Sequence, residues 1–141
     1  MLRSPSQKNG IRVVAADDNT QVRDKIVQLL KVDFEVVGTA ADGKSALDLV
    51  MLLEPEIVVL DISMPVMSGI EAAAEITRKA SKTKIVFLTV HDDSDFVKAA
   101  LNVGASAYVV KSQMVTDLRA AILAASEGNK FISSNSVVFE D

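Results

Sequence analysis

The chain has 141 residues, of which 49% are hydrophobic and 24% charged, with a formal net charge of −4 and no cysteine. That length suits one domain with a full core. The mild acidity leaves no basic footprint for a nucleic acid, and the lack of cysteine excludes disulfide frameworks and Cys-ligated zinc. No apolar run reaches membrane-spanning length, and "MLRSPSQKNG" lacks the apolar core of a secretory signal. The expectation is a cytoplasmic protein that binds neither membrane nor nucleic acid directly.

Residues 1–10 read as a flexible extension. Ile11 to Ala16 is the first strand candidate, and Val22, Ile26, Leu29 and Leu30 follow at helical spacing. Phe34 to Val37 is the second short apolar run. Ala46, Leu47, Val50 and Leu53 then mark a helix that Pro55 stops. Ile57 to Leu60 is the third run, and Ser68 is a candidate N-cap for a helix carrying Ile70, Ala73 and Ala74. Ile85 to Leu88 is the fourth. Ser94 is the candidate cap for Phe96, Val97, Ala100 and Leu101, with Gly104 at the end. Ala107 to Val110 is the fifth run. The helix of Leu118, Ala121, Ile122 and Ala125 closes at Gly128, and 129–141 reads as a tail or the start of a linker.

The runs are continuous rather than alternating, which is how strands covered on both faces read. Five such strands alternating with five helices predict a parallel sheet joined by right-handed crossovers. Five units cannot close an eight-stranded barrel. The predicted fold is therefore α/β: one doubly wound five-stranded sheet of flavodoxin-like (βα)5 order over 11–128. Ligands of such sheets bind beyond the carboxyl ends of the strands, where the strand order reverses.

The residues just past the runs are Asp17 and Asp18, then Asp61, Thr89 and Lys111. Taken singly they are ordinary, since an Asp before a helix is a cap worth about 1 kcal/mol. Taken together they are not, because two carboxylates about 4 Å apart repel by roughly 4 kcal/mol at an effective dielectric near 20. Three gathered acids call for a cation, and oxygen ligands without His or Cys select Mg²⁺, or Mn²⁺ in its place, shared with a phosphate. Lys111 then supplies a point charge for a phosphate oxygen and Thr89 a hydroxyl donor. Asp61 is left as the carboxylate that could attack phosphorus.

The acidic pair in "VVAADDN", the acceptor segment "LDISMPVMSG", the hydroxyl in "IVFLTVH" and the lysine in "GASAYVVKS" together resemble the receiver domain of bacterial two-component response regulators. The resemblance covers about Ile11 to Gly128. It implies that Asp61 accepts a phosphoryl group from a histidine kinase, or from a small acyl phosphate. It further implies that Asp17, Asp18, Asp61 and the backbone carbonyl of Ser63 bind Mg²⁺, and that Thr89 and Lys111 hold the phosphoryl oxygens. Tyr108 occupies the aromatic switch position, its ring expected to move inward when Thr89 swings toward the phosphate. Ser63 and His91, two residues past the acceptor and two past the threonine, are expected to tune the lifetime of the phosphoaspartate. Such a protein is no enzyme beyond its own phosphorylation and dephosphorylation.

Where many receivers have proline after the lysine, this chain has Ser112. With "LRAAILAASEGNKFIS" behind it, that Lys-Ser is similar to the LuxR/NarL class of transcription factors. An output domain beyond Asp141 is the expectation, with a stand-alone receiver as the alternative. The face of the fourth helix, fifth strand and fifth helix, carrying Phe96, Lys98, Tyr108 and Arg119, is the expected partner or homodimer surface. A dehalogenase-type phosphatase would want a second Asp where Ser63 stands, and a nucleotide or flavin binder would want a Gly-rich loop where "ADDNTQ" stands. A pseudo-receiver would lack one of the key residues, and none is missing.

Overall fold

A computed structural model describes residues 10–80 and 82–133. The remainder of the expected extension and residues 134–141 of the expected tail lie outside the described residues. In chain order the elements are β1 (Arg12–Ala16), α1 (Thr20–Leu30), β2 (Glu35–Ala40), α2 (Gly43–Leu53), β3 (Ile57–Leu60) and α3 (Gly69–Lys79). They continue with β4 (Lys84–Thr89), α4 (Ser94–Asn102), β5 (Ala107–Val110), a 3-10 turn (Lys111–Gln113), α5 (Met114–Ser126) and β6 (Phe131–Ile132).

The sheet is parallel throughout, in the order β2-β1-β3-β4-β5-β6. The order reverses between β1 and β3, so their carboxyl ends flank the crevice where ligands of such sheets bind. The five expected strands are all present, but the sheet has a sixth. Phe131 N–H donates to Ser106 O at 3.2 Å and Ser133 N–H to Tyr108 O at 2.9 Å, adding β6 to the edge of β5. Two residues are too few to show a hydrophobic period.

Alternation along the strands explains the continuous apolar runs. In β3, Val58 and Leu60 face a core shared with α2, α3 and α4, while Ile57 and Val59 face a second core shared with α1 and α5. All four are fully buried. Burying a side chain of this size contributes about 1.5–3 kcal/mol, so the two-sided cover makes β3 a rigid base for whatever follows Leu60.

Short polar side chains start four helices. Asn19 Oδ1 accepts from Val22 N–H, Asp42 Oδ1 from Ser45 N–H, and Ser68 with Glu71 forms a reciprocal capping box. For α4 the cap is Asp93, which accepts from Phe96 N–H at 3.2 Å, and the expected cap Ser94 is instead the first helical residue. The Asp-Asp-Ser run offers three adjacent capping residues, and burial of Val97 and Ala100 selects among them. Gly104 takes φ +99° where α4 ends, a left-handed conformation that favours glycine.

Candidate functional site

The base of the site is the crevice between the ends of β1 and β3. Asp17 is fully buried and Asp61 nearly so, while Asp18 is exposed. Each offers one carboxylate oxygen to a cluster whose atoms lie within 4.8 Å of one another. Local structure fixes the two buried acids. Asn19 N–H donates to Asp17 Oδ1 at 2.9 Å, and Ile62 N–H donates to Asp61 Oδ1 at 2.7 Å. Arg23, one turn into α1, donates to the backbone carbonyl of Asp17 at 2.7 Å.

Lys111 reaches in from the end of β5. Its Nζ lies 2.9 Å from Asp61 Oδ2 and 2.7 Å from Asp17 Oδ2. Burial would lower the ammonium's pKa, but the two carboxylates more than offset this and hold it above its ordinary value. Three carboxylates against one ammonium still leave an excess of negative charge. Asp17 Oδ2, moreover, is buried and receives no aligned hydrogen bond beyond that ion contact. An oxygen-only donor set with an under-satisfied buried oxygen fits a hard divalent cation.

Thr89 ends β4 and is fully buried. Register puts Phe87 beside Leu60 of β3 and Thr89 beside Val110 of β5, so the threonine shares the edge that carries Asp61 and Lys111. Its Oγ1 accepts from His91 N–H at 3.4 Å.

His91 joins several of the expected residues. Its Nε2 lies 3.0 Å from Ser63 Oγ, and its carbonyl accepts from the Tyr108 hydroxyl at 2.6 Å. Its ring stacks on Phe96 with centroids 4.1 Å apart and planes 20° from parallel. Tyr108 is fully buried, with its ring 6.4 Å from that of Phe87. The inward position expected to follow a movement of Thr89 is thus the position the ring holds in this structure. Burial, with Asp93, Asp92 and Asp61 adding to it, pushes the phenol pKa well above its ordinary value.

One expected surface residue lies elsewhere. Arg119, assigned from sequence to the face of α4, β5 and α5, turns toward α1 and pairs with Asp33 at 2.8 Å. It lines an apolar groove with Leu29, Leu30 and Met114, because α5 packs on the α1 side of the sheet. Phe96 and Tyr108 do lie on the α4 side.

Two contributors, Arg23 and Ser133, carried no signal in the sequence, and a third, Gly69, carried a weak one. Arg23 is an ordinary helix residue by pattern. Ser133 lies in a polar stretch, yet it is buried and its Oγ accepts from Val110 N–H at 3.1 Å, immediately before Lys111. Gly69 sits where a Cβ would overlap the carbonyl oxygen of Asp61, and its N–H donates to Ile62 O at 2.7 Å. The Ser-Gly pair after Asp61 could have flagged Gly69, since close backbone approach is a use of glycine.

The family described as the response regulator receiver domain matches residues 13–123. The transcriptional regulatory protein LiaR of Bacillus subtilis is 36% identical over 126 residues, covering 88% of this chain and 60% of LiaR. A LuxR-family two-component response regulator from Aurantimonas sp. SI85-9A1 superposes with a TM-score of 0.85 at 33% identity, covering 90% of this chain and 92% of that one. The isolated receiver domain of RcsB from Salmonella enterica serovar Typhimurium, solved with the phosphomimetic BeF3⁻, gives 0.82 at 27%, covering 90% and 96%. The chain spans little more than half the length of the curated relatives it matches. No helix among the described residues is long and apolar enough to cross a membrane.

Proposed function

The chain belongs to the response regulator receiver domain family, and on that footing we propose that it is a phosphorylation-controlled switch with Asp61 as the acceptor. The observation that carries this reading is the single ammonium of Lys111 held between Asp61 and Asp17, with Asp18 beside them at the carboxyl edge. An Asp61 carboxylate oxygen attacks phosphorus, forming an O–P bond as the P–N bond to the histidine of a kinase breaks. The loose transition state spreads charge over the phosphoryl oxygens. Lys111 faces that charge and Thr89 donates its hydroxyl to it. Asp17, Asp18, Asp61 and the carbonyl of Ser63 would hold Mg²⁺ or Mn²⁺, which when bound neutralises charge on the acids and the phosphoryl group.

Recruitment of Thr89 to a phosphoryl oxygen gives up its long contact with His91 N–H, while the Tyr108 bond to the His91 carbonyl remains. The switch is a shift between two arrangements of the loops after β4 and β5, with a coupling of about 1–3 kcal/mol. The chain's only turnover is its own phosphorylation and dephosphorylation, in the cytoplasm.

The output is transcriptional, and the partners are a histidine kinase and a second copy of the chain. The support is that the matched relatives are transcriptional regulators and that RcsB forms dimers bound to DNA. Incubation with acetyl phosphate and Mg²⁺ tests the reading. Wild-type protein should gain one acid-stable, base-labile phosphoryl group that Asp61→Asn does not gain, and equal labelling of the two would sink it.

A further inference from the structure

We propose that Phe96 is a positioning residue that lengthens the life of the phosphoryl group on Asp61 by holding the His91 ring across the entrance to the site. This rests on the reading of Asp61 as acceptor with Ser63 and His91 beside it.

Ser63 and His91 belong to different loops, one following β3 and one following β4. Their contact at 3.0 Å links the two loops two residues past Asp61 on one side and two past Thr89 on the other. A single hydrogen bond between a hydroxyl and an imidazole on partly exposed loops is worth only about 0.5–1.5 kcal/mol net. It does not by itself fix the ring. Phe96 supplies the second restraint. Its ring lies nearly parallel to the imidazole at 4.1 Å, and it is carried on the first turn of α4, where Asp93 accepts its backbone N–H. Phe96 also lines the groove that runs past Asp18, Ser63 and Ile70. The Tyr108 hydroxyl holds the His91 carbonyl at 2.6 Å. Backbone and ring of His91 are therefore pinned independently, the backbone by β5 and the ring by α4.

Dephosphorylation returns Asp61 to a carboxylate. A water oxygen forms a bond to phosphorus, the bond from phosphorus to the Asp61 oxygen breaks, and inorganic phosphate leaves with the proton balance of that water. The water needs room opposite the breaking bond. A stacked imidazole whose hydrogen-bonding edge is occupied by Ser63 denies that room, and it cannot easily turn to orient the water. Releasing the ring opens the entrance, so weakening the stack speeds hydrolysis.

The chain has one histidine, which makes the test direct. Proton NMR of the wild-type protein should place the His91 ring resonances upfield of an unstructured histidine, as stacking over an aromatic face requires. Phe96→Leu should move them toward the unstructured position, and Phe96→Trp should keep them upfield. Each protein is then charged with acetyl phosphate and Mg²⁺, freed of donor, and followed for loss of phosphoaspartate. Phe96→Leu should lose it at least about fivefold faster than wild type, and Phe96→Trp should restore slow loss. His91→Ala should be fast, and Phe96→Leu should add nothing to it.

Unshifted His91 resonances in the wild type, or a Phe96→Leu rate within about twofold of wild type, overturn the proposal. So does a Phe96→Leu effect that persists in the His91→Ala background, since the action would then bypass the imidazole. Failure of the wild type to accept a phosphoryl group overturns the acceptor reading itself, and the proposal with it. A labelled protein indifferent to both substitutions overturns the proposal alone.

Discussion

The hydroxyl of Tyr108 donates to the carbonyl of His91 at 2.6 Å, tying the middle of β5 to the loop that leaves β4. The ring is fully buried, so the phenol must ionise inside the core or not at all. Burial and three nearby carboxylates disfavour the phenolate.

This chain has one tyrosine and no tryptophan, so tyrosinate absorbance reports Tyr108 alone. The folded pKa lies above the unfolded value of about 10. The stability that Tyr108 contributes is then fully present below that unfolded value and is lost as pH rises toward the folded one. Ionisation should therefore coincide with alkaline unfolding followed by circular dichroism. A phenol that titrates near pH 10 in a still-folded protein would contradict the buried geometry.

The acidic cluster predicts opposite effects of metal and of charge removal. Asp18 is exposed, so its repulsion by a neighbour about 4 Å away is near the aqueous figure of about 1 kcal/mol. Asp18→Asn should raise metal-free stability by roughly that amount. In the wild type, Mg²⁺ at about 100 times its Kd should add about 2.7 kcal/mol, and the variant should lose most of that gain. Thermal unfolding with chelator and with Mg²⁺ checks both signs.

Gly69 begins α3, where alanine would ordinarily favour the helix by about 1 kcal/mol. Here the added Cβ would overlap the Asp61 carbonyl, and overpacking of this kind costs about 1–3 kcal/mol. The clash is with backbone that cannot rotate away, so the cost wins. Gly69→Ala should have a lower urea midpoint than wild type and should accept phosphate poorly, because Asp61 is the residue displaced.

Ser133 should behave as a core residue although it follows a two-residue strand. Removing its hydroxyl leaves the Val110 N–H buried without its partner, at a cost of about 1–3 kcal/mol. Ser133→Ala should lower the urea midpoint with an unchanged slope. An unchanged midpoint would show that β6 does not support β5.

Much of this was legible in the sequence, because β1, β3, β4 and β5 are buried on both faces and read as unbroken apolar runs. The positions just past those runs follow from the sheet's topology, which is why Asp17, Asp18, Asp61, Thr89 and Lys111 could be placed at one edge. Other features depend on tertiary contacts that leave no periodic trace. β6 is two residues long, and the Arg23 contact to Asp17 O depends on how α1 meets the loop before it. Arg119 was misplaced because spacing identifies the buried stripe of α5 but not which neighbouring helix each flank meets. The stack of His91 on Phe96 joins a loop residue to one five positions on, a spacing that has no secondary-structure signature.

The central claim, that Asp61 is the phosphoryl acceptor, is tested most directly by trapping the acyl phosphate. Protein charged with acetyl phosphate and Mg²⁺ is reduced with borohydride, which converts a phosphoaspartate to homoserine, and the altered residue is located by peptide mass spectrometry. Homoserine at position 61, and its loss when Lys111 is replaced by alanine or when chelator is present, is the predicted result. Reduction at Asp17 or Asp18 instead, or no reduced residue in a protein that has been fully exposed to donor, would contradict the account.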